Sequence, residues 1–177
     1  MKKALVIYSP SAGKIKSGQT ARIVRKKMES LGYRADWFVL DDGFEGMIRD
    51  YDFSKIKTVV AMGGDGTVKV AGRIILQNDL KIPLGIIPSG SANVIAQELK
   101  LPFKITEAIK LLARPEKFAL LDAGIINNKH YFFVGFSLGH VSEVVAKTAV
   151  GLKKKLGFLG YFLSLISSKT RLKTFKF

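Results

Sequence analysis

The segment TVVAMGGDGTVKVAGRIIL, residues 58–76, decides the fold. An apolar run, Thr58 to Met62, meets three glycines and an acid, then returns at once to apolar residues at helical spacing. The run has the length and β-branched content of a strand buried on both faces. VKVAGRIILQN (68–78) reads as a helix carrying Val68, Ala71, Ile75 and Leu76 on one side. A buried strand that feeds a helix through a glycine turn is half of a parallel βαβ unit.

Working outward, the same alternation repeats. ALVIY (4–8) is a first strand, followed by the loop SPSAGKIKSG (9–18) and the helix TARIVRKKMESLG (20–32), with Ile23, Val24, Met28 and Leu31 at helical spacing. Gly32 suits the C-terminal cap of that helix. YRADWFVL (33–40) and IPLGII (82–87) are further strands. SANVIAQEL (91–99) is a short helix with Ser91 as its expected N-cap, and ITEAIKLLA (105–113) a helix opened by Thr106 and stopped before Pro115. The expected fold class is therefore α/β, three-layered, with a mostly parallel sheet and helices on both faces. From Phe118 the pattern changes: FALLDAGIINNKHYFFVGFSLG (118–139) reads as two strands around the Asn-rich turn NNK, a hairpin signal. This gives an α/β domain over 1–116. Residues 117–177 are then a hairpin plus a basic amphipathic helical segment, the beginning of an incomplete second, β-rich domain.

Composition bounds the function. The 177 residues carry a formal net charge of +15, with 47% hydrophobic and 24% charged residues. Such a charge favours an anionic partner: nucleic acid, an acidic membrane surface or a polyphosphate. The basic excess is concentrated at the end, because no acid follows Glu143 while Lys153, Lys154, Lys155, Lys169, Arg171, Lys173 and Lys176 do. Leu152, Leu156, Leu159, Leu163 and Ile166 there share one helical face, as an interfacial helix on anionic lipid would. A nucleic-acid role is not supported, since no recognition motif or stacking aromatic array accompanies the charge. With no cysteine and only two histidines, disulfide frameworks and thiolate or histidine-rich metal centres are excluded. The opening MKKALVIYSP has too short an apolar run for a signal peptide, and no stretch reaches membrane-span length. The expectation is a cytoplasmic protein, peripheral at the inner membrane surface.

The acid between the glycines is the chemical clue. Ligands of open parallel sheets sit beyond the carboxyl ends of the strands, where Gly63, Gly64 and Gly66 fall. Glycines there permit positive φ and close approach by a ligand, and the following helix contributes its positive end. That describes a phosphate site, with Thr67 able to add a hydroxyl. Asp65 would repel phosphate, so its sensible tasks are holding Mg²⁺ or taking a proton from an attacking hydroxyl. SPSAGK (9–14) and PSGSAN (88–93) follow two other strands and would share the same rim. Neither standard nucleotide fingerprint fits. A Walker A loop ending at Gly13 would need glycine where Tyr8 stands, and GxGxxG begun at Gly64 and Gly66 meets Lys69.

GGDGT (63–67), LGIIPSGSANVIAQEL (84–99) and SPSAGK (9–14), in their order along the chain, resemble the catalytic domain of diacylglycerol-kinase-like lipid kinases, a family that includes sphingosine kinases and related bacterial enzymes. The resemblance implies ATP and Mg²⁺, a diacylglycerol-like hydroxyl lipid as phosphate acceptor, and a nucleotide-binding role for residues 1–116. It places Ser9, Pro10, Ser11, Ala12 and Gly13 near the nucleotide, Gly63, Gly64, Asp65, Gly66 and Thr67 at its phosphates, and Ser91 with Asn93 on the opposite wall. Asp65 is the catalytic candidate, through proton transfer or metal. The sequence departs from the family pattern at Ser9, where Asn is usual, at Lys69 and Val70, where Asn-Glu is usual, and at Val94, where Asp is common. Lys69 would then serve phosphate as a point charge. The alternatives are a non-catalytic nucleotide- or membrane-binding module, a truncated piece of such a kinase, and an NAD-kinase-like enzyme. Oligomeric state is left open.

Overall fold

The computed structural model describes residues 1–10, 18–114 and 118–134. The elements run β1 (Lys2–Tyr8), α1 (Gly18–Ser30), β2 (Tyr33–Val39), α2 (Phe44–Arg49), β3 (Ile56–Gly63), α3 (Asp65–Gln77), β4 (Leu84–Pro88), α4 (Val94–Glu98), α5 (Ile105–Leu112), β5 (Gly124–Ile126) and β6 (His130–Phe132). The first four strands form one sheet in the order β2-β1-β3-β4, all pairs parallel. The expected α/β class with a parallel sheet is what the chain adopts.

Strand alternation sorts the core into two layers. Leu5 and Ile7 of β1 face the side covered by α2, α3 and α4, packing with Phe44, Ile48, Val68, Ile74 and Ile95. Ala4 and Val6 face the other side, with Val24 and Met28 of α1 and Ile109 of α5. Right-handed crossovers account for this division. The chain leaves β1 towards β2 through α1, but proceeds from β3 to β4 in the opposite direction through α3, so those helices cover opposite faces. The reversal places a topological switch point between the carboxyl ends of β1 and β3. Each fully buried Leu, Ile or Val contributes roughly 1.5–3 kcal/mol relative to exposure, so both layers matter to stability.

Local signals behaved unevenly. Gly32 takes φ +82° as the cap after α1, and its carbonyl accepts from the Lys2 N–H at 2.8 Å, which helps set the β1–β2 register. Asn127 and Asn128 both sit at φ 52° in the β5–β6 turn, closed by the Lys129 N–H to the Ile126 carbonyl at 3.1 Å. Phe133 beyond that hairpin stacks its ring edge where a Cβ on Gly72 would stand, within the compact unit Met1–Phe133.

Other expectations need correction. α3 begins at Asp65, nearly a turn before Val68, because Asp65, Gly66 and Thr67 of the glycine turn already belong to the helix. Its buried face is Val68, Ala71, Gly72 and Ile74, whereas Leu76 is exposed. Ile23 of α1 is likewise exposed. The N-cap of α4 is Asn93, not Ser91, and that of α5 is Lys104, not Thr106. The six-residue α2 was not anticipated; it packs Phe44 and Ile48 into the core. The basic helical segment of 152–166 lies outside the described residues. Among those described, no helix is long and apolar enough to cross a membrane.

Candidate functional site

At the carboxyl end of the sheet, parallel pairing aligns Tyr8 with Met62 and Gly63 with Pro88. The ladder runs one step beyond each strand. The Ser9 N–H donates to the Met62 carbonyl at 3.3 Å, and the Ser89 N–H to the Gly63 carbonyl at 2.9 Å. The loops after β1, β3 and β4 therefore leave one rim side by side. Ser9, Pro10, Gly63–Thr67 and Ser89–Asn93 are brought together there. Ser11, Ala12 and Gly13 lie outside the described residues.

The two inner loops touch backbone to backbone. A Cβ placed on Gly90 would stand 2.4 Å from the Gly64 Cα, and one on Gly64 would stand 3.1 Å from the Gly90 Cα. This is why both positions are glycine. Positive φ is not the reason, contrary to expectation: Gly64 has φ −95°, and Gly32 is the only described glycine on the left-handed side. Gly63 is excluded from carrying a side chain by Thr67, whose Oγ1 would lie 2.1 Å from such a Cβ. Thr67 is thus buried against the turn.

Asn93 clamps the β4 loop. Its Oδ1 accepts from the Gly90 N–H at 2.9 Å and its Nδ2 donates to the Gly90 carbonyl at 2.7 Å. The residue sits at φ 51°, where Asn is tolerated better than most side chains, and is buried. Gln97 braces the same loop, its Nε2 donating to the Ala92 carbonyl at 2.6 Å. Ser91 stays exposed at the tip.

Asp65 links the two loops. Its Oδ1 accepts from the Ile95 N–H at 3.1 Å, satisfying an orphan amide in the first turn of α4. One carboxylate oxygen is committed to this bond. Lys69 stands exposed one turn further along α3 and makes no ion pair among the described residues.

Two features mark the rim as able to receive an anion. The N-cap of α3 is Gly64, with no side-chain cap, so the Asp65 and Gly66 amides at the helix's positive end have no partner among the described residues. The Ser89 hydroxyl is buried and also has no hydrogen-bond partner among the described residues. A neutral hydroxyl in that state costs about 1–3 kcal/mol, which a ligand or water could recover. Ser89 was missed from the sequence because the hydroxyls of PSGSAN look equivalent; only register shows that this one follows the strand directly. A phosphate group fits these donors. For a divalent cation the loops after β3 and β4 offer the second oxygen of Asp65, and the described residues hold no group of three or more acidic or histidine side chains. That suits Mg²⁺ held largely by phosphate oxygens and water.

Comparison with known proteins agrees with this geometry. Residues 3–123 match the family described as "Diacylglycerol kinase catalytic domain". The chain is 28% identical over 169 residues to "Diacylglycerol kinase" of Staphylococcus haemolyticus, covering 92% of this chain and 49% of that protein. It is 33% identical over 165 residues to "Probable lipid kinase YegS-like" of Alcanivorax borkumensis, covering 92% and 53%. A solved structure from Bacillus anthracis str. Sterne, bearing the name of a diacylglycerol kinase, superposes with a TM-score of 0.68 at 27% identity, over 93% of this chain and 54% of that one. The chain thus spans about half the length of the curated relatives it matches. On the breadth of the family match, it belongs to the diacylglycerol kinase catalytic domain family.

Proposed function

We propose that this chain supplies the nucleotide-binding part of a lipid kinase, which moves the γ-phosphate of ATP, with Mg²⁺, to the hydroxyl of diacylglycerol or a similar lipid. The observation that carries the reading is the backbone contact of Gly64 with Gly90 beside amides at the start of α3 that have no partner among the described residues. Such a seam admits a triphosphate without side chains in the way, and its donors do not move when charge builds on the phosphoryl oxygens. Phosphoryl transfer depends chiefly on that positioning and charge neutralisation.

Within this reading the Asp65 and Gly66 amides hold phosphate oxygens, and Ser9 to Gly13 flank the nucleotide. Asn93 and Ser91 shape the opposite wall, Asn93 by fixing the course of the loop. Lys69 adds a point charge at the rim. Mg²⁺, when bound beside the free Asp65 oxygen, neutralises phosphate charge. Asp65 accepts the proton of the attacking hydroxyl or orients the cation. Approach to the lipid places the protein at an anionic membrane surface.

The experiment is transfer from labelled ATP to diacylglycerol in mixed micelles, comparing the wild type with Asp65→Asn, alongside ATP binding by calorimetry. Asn keeps an oxygen for the Ile95 N–H, so the fold and ATP binding should persist while the rate falls by about 10²–10⁴-fold. Transfer that survives the substitution removes Asp65 from its role. A second reading is favoured by the lack, among the described residues, of any group of three or more acidic or histidine side chains that could hold a metal ion. In it, the chain binds nucleotide but does not transfer phosphate by itself. ATP binding without turnover in the wild type would select that reading.

A further inference from the structure

The opposite end of the sheet carries a second concentration of charge. Lys2 and Lys3 begin β1, Arg34 is the second residue of β2, Lys55 precedes β3 and Lys57 is the second residue of β3. All five line one shallow cleft of about 550 Å³ with Asp36. Parallel pairing forces this meeting, because Lys2 aligns with Tyr33, Lys3 with Arg34 and again with Ile56.

Charges in the cleft do not cancel. Lys3 pairs with Asp36 at 2.9 Å, and the Tyr51 hydroxyl donates to the same carboxylate at 2.6 Å, so the floor is neutral and fixed. Lys2, Arg34, Lys55 and Lys57 make no ion pair among the described residues. Of the other acids nearby, Asp52 lies on the side of Lys55 and Lys3 and is engaged by the Ser54 N–H at 2.9 Å, and Glu29 lines the adjoining cleft with Arg25, Arg34 and Asp36. Like charges held at the ends of adjacent strands repel one another, and a multiply charged anion relieves that repulsion.

We infer that this cleft is a second anion site, for a small phosphate-type anion of the pyrophosphate class, independent of the rim around Gly64. The length of β1, six steps of about 3.3 Å, separates the two by roughly 20 Å. A membrane face is the weaker fit. The cleft is concave, and Met1 is the one large exposed apolar side chain lining it, whereas interfacial surfaces combine basic residues with a band of apolar ones.

The test is titration of the full chain with inorganic pyrophosphate, read residue by residue as amide shifts in NMR. The wild type is compared with a Lys55→Ala/Lys57→Ala double variant, which removes exposed side chains and leaves the core intact. The expected result is shifts at Lys2, Arg34 and Lys57, weaker as salt rises, with affinity about tenfold lower in the double variant. Shifts confined to residues 63–67, or equal affinity at the cleft in both proteins, would overturn the inference. So would retention by phosphatidylglycerol vesicles that depends on Lys55 and Lys57 without any pyrophosphate response, which would make the cleft a membrane face. Because the kinase assay does not involve these lysines, failure here and failure of the proposed activity read out separately.

Discussion

The two ends of the parallel sheet solve anion contact in opposite ways. At the carboxyl end the chain removes side chains, so that Gly64 and Gly90 meet backbone to backbone and main-chain amides face outward. At the amino end it adds long cationic side chains around a neutral Lys3–Asp36–Tyr51 floor. A backbone site has fixed donors and tolerates no substitution at its contact points. A side-chain site is adaptable, screened by salt and forgiving of single changes. The first design suits chemistry that needs geometry held to a fraction of an ångström; the second suits recognition by charge.

The largest effect expected from this contrast is at Gly90. Gly90→Val places its Cβ 2.4 Å from the Gly64 Cα, a backbone atom that cannot swing aside. Loss of about 3 kcal/mol or more in urea unfolding is expected, at the upper end of overpacking costs, together with loss of ATP binding. Wild-type stability with intact ATP binding would mean that the two loops are not in contact, and the backbone design would be refuted.

A smaller loss is expected at Asn93, which acts one step removed from the seam. Asn93→Ala deletes both bonds to Gly90 and leaves that residue's amide and carbonyl to seek other partners, at about 1–3 kcal/mol. Asn93→Asp keeps an acceptor for the Gly90 N–H and should lose less. If the two variants unfold at the same urea concentration, the clamp is not what orders the loop.

How much of this was legible in the sequence follows from the same contrast. The strands were readable because burial on both faces leaves uninterrupted apolar runs such as ALVIY and TVVAM, and the rim was readable because glycine clusters end those runs. The contact between Gly64 and Gly90 was not, since it depends on the register of β3 against β4, which no local pattern encodes. Helix caps failed for a related reason. Ser91 and Thr106 are good capping residues by type, yet Asn93 and Lys104 occupy the caps because tertiary packing fixes where each helix can begin. The helix α2 escaped notice because six residues with Gly46 inside them show too little periodicity. The amino-end cleft escaped too: Lys2, Arg34 and Lys57 are scattered in sequence, and only parallel pairing gathers them.

The smallest effect is at the floor of that cleft, and it carries a pH signature. The hydrogen bond from Tyr51, then that from Lys3, holds the Asp36 carboxyl below its ordinary range. Burial, followed by the bond to Asp36, raises the Tyr51 phenol above its ordinary value. A carboxyl lowered in the folded state stabilises the fold above its unfolded pKa near 4, and that contribution fades as pH falls through the folded value. A phenol raised in the folded state stabilises below its unfolded pKa near 10, and its contribution fades as pH climbs towards the folded value. Tyr51→Phe should therefore cost most near neutral pH, about 0.5–1.5 kcal/mol, with the lower figure favoured because Asp36 is about one-third exposed and partly screened by water. Urea midpoints at about pH 3, 7 and 11 should show the difference narrowing towards both extremes. No difference between the two proteins at any of these pH values would show that Tyr51 contributes only through its ring packing on Phe38 and Phe53, which Phe keeps, and that the floor is not held by charge.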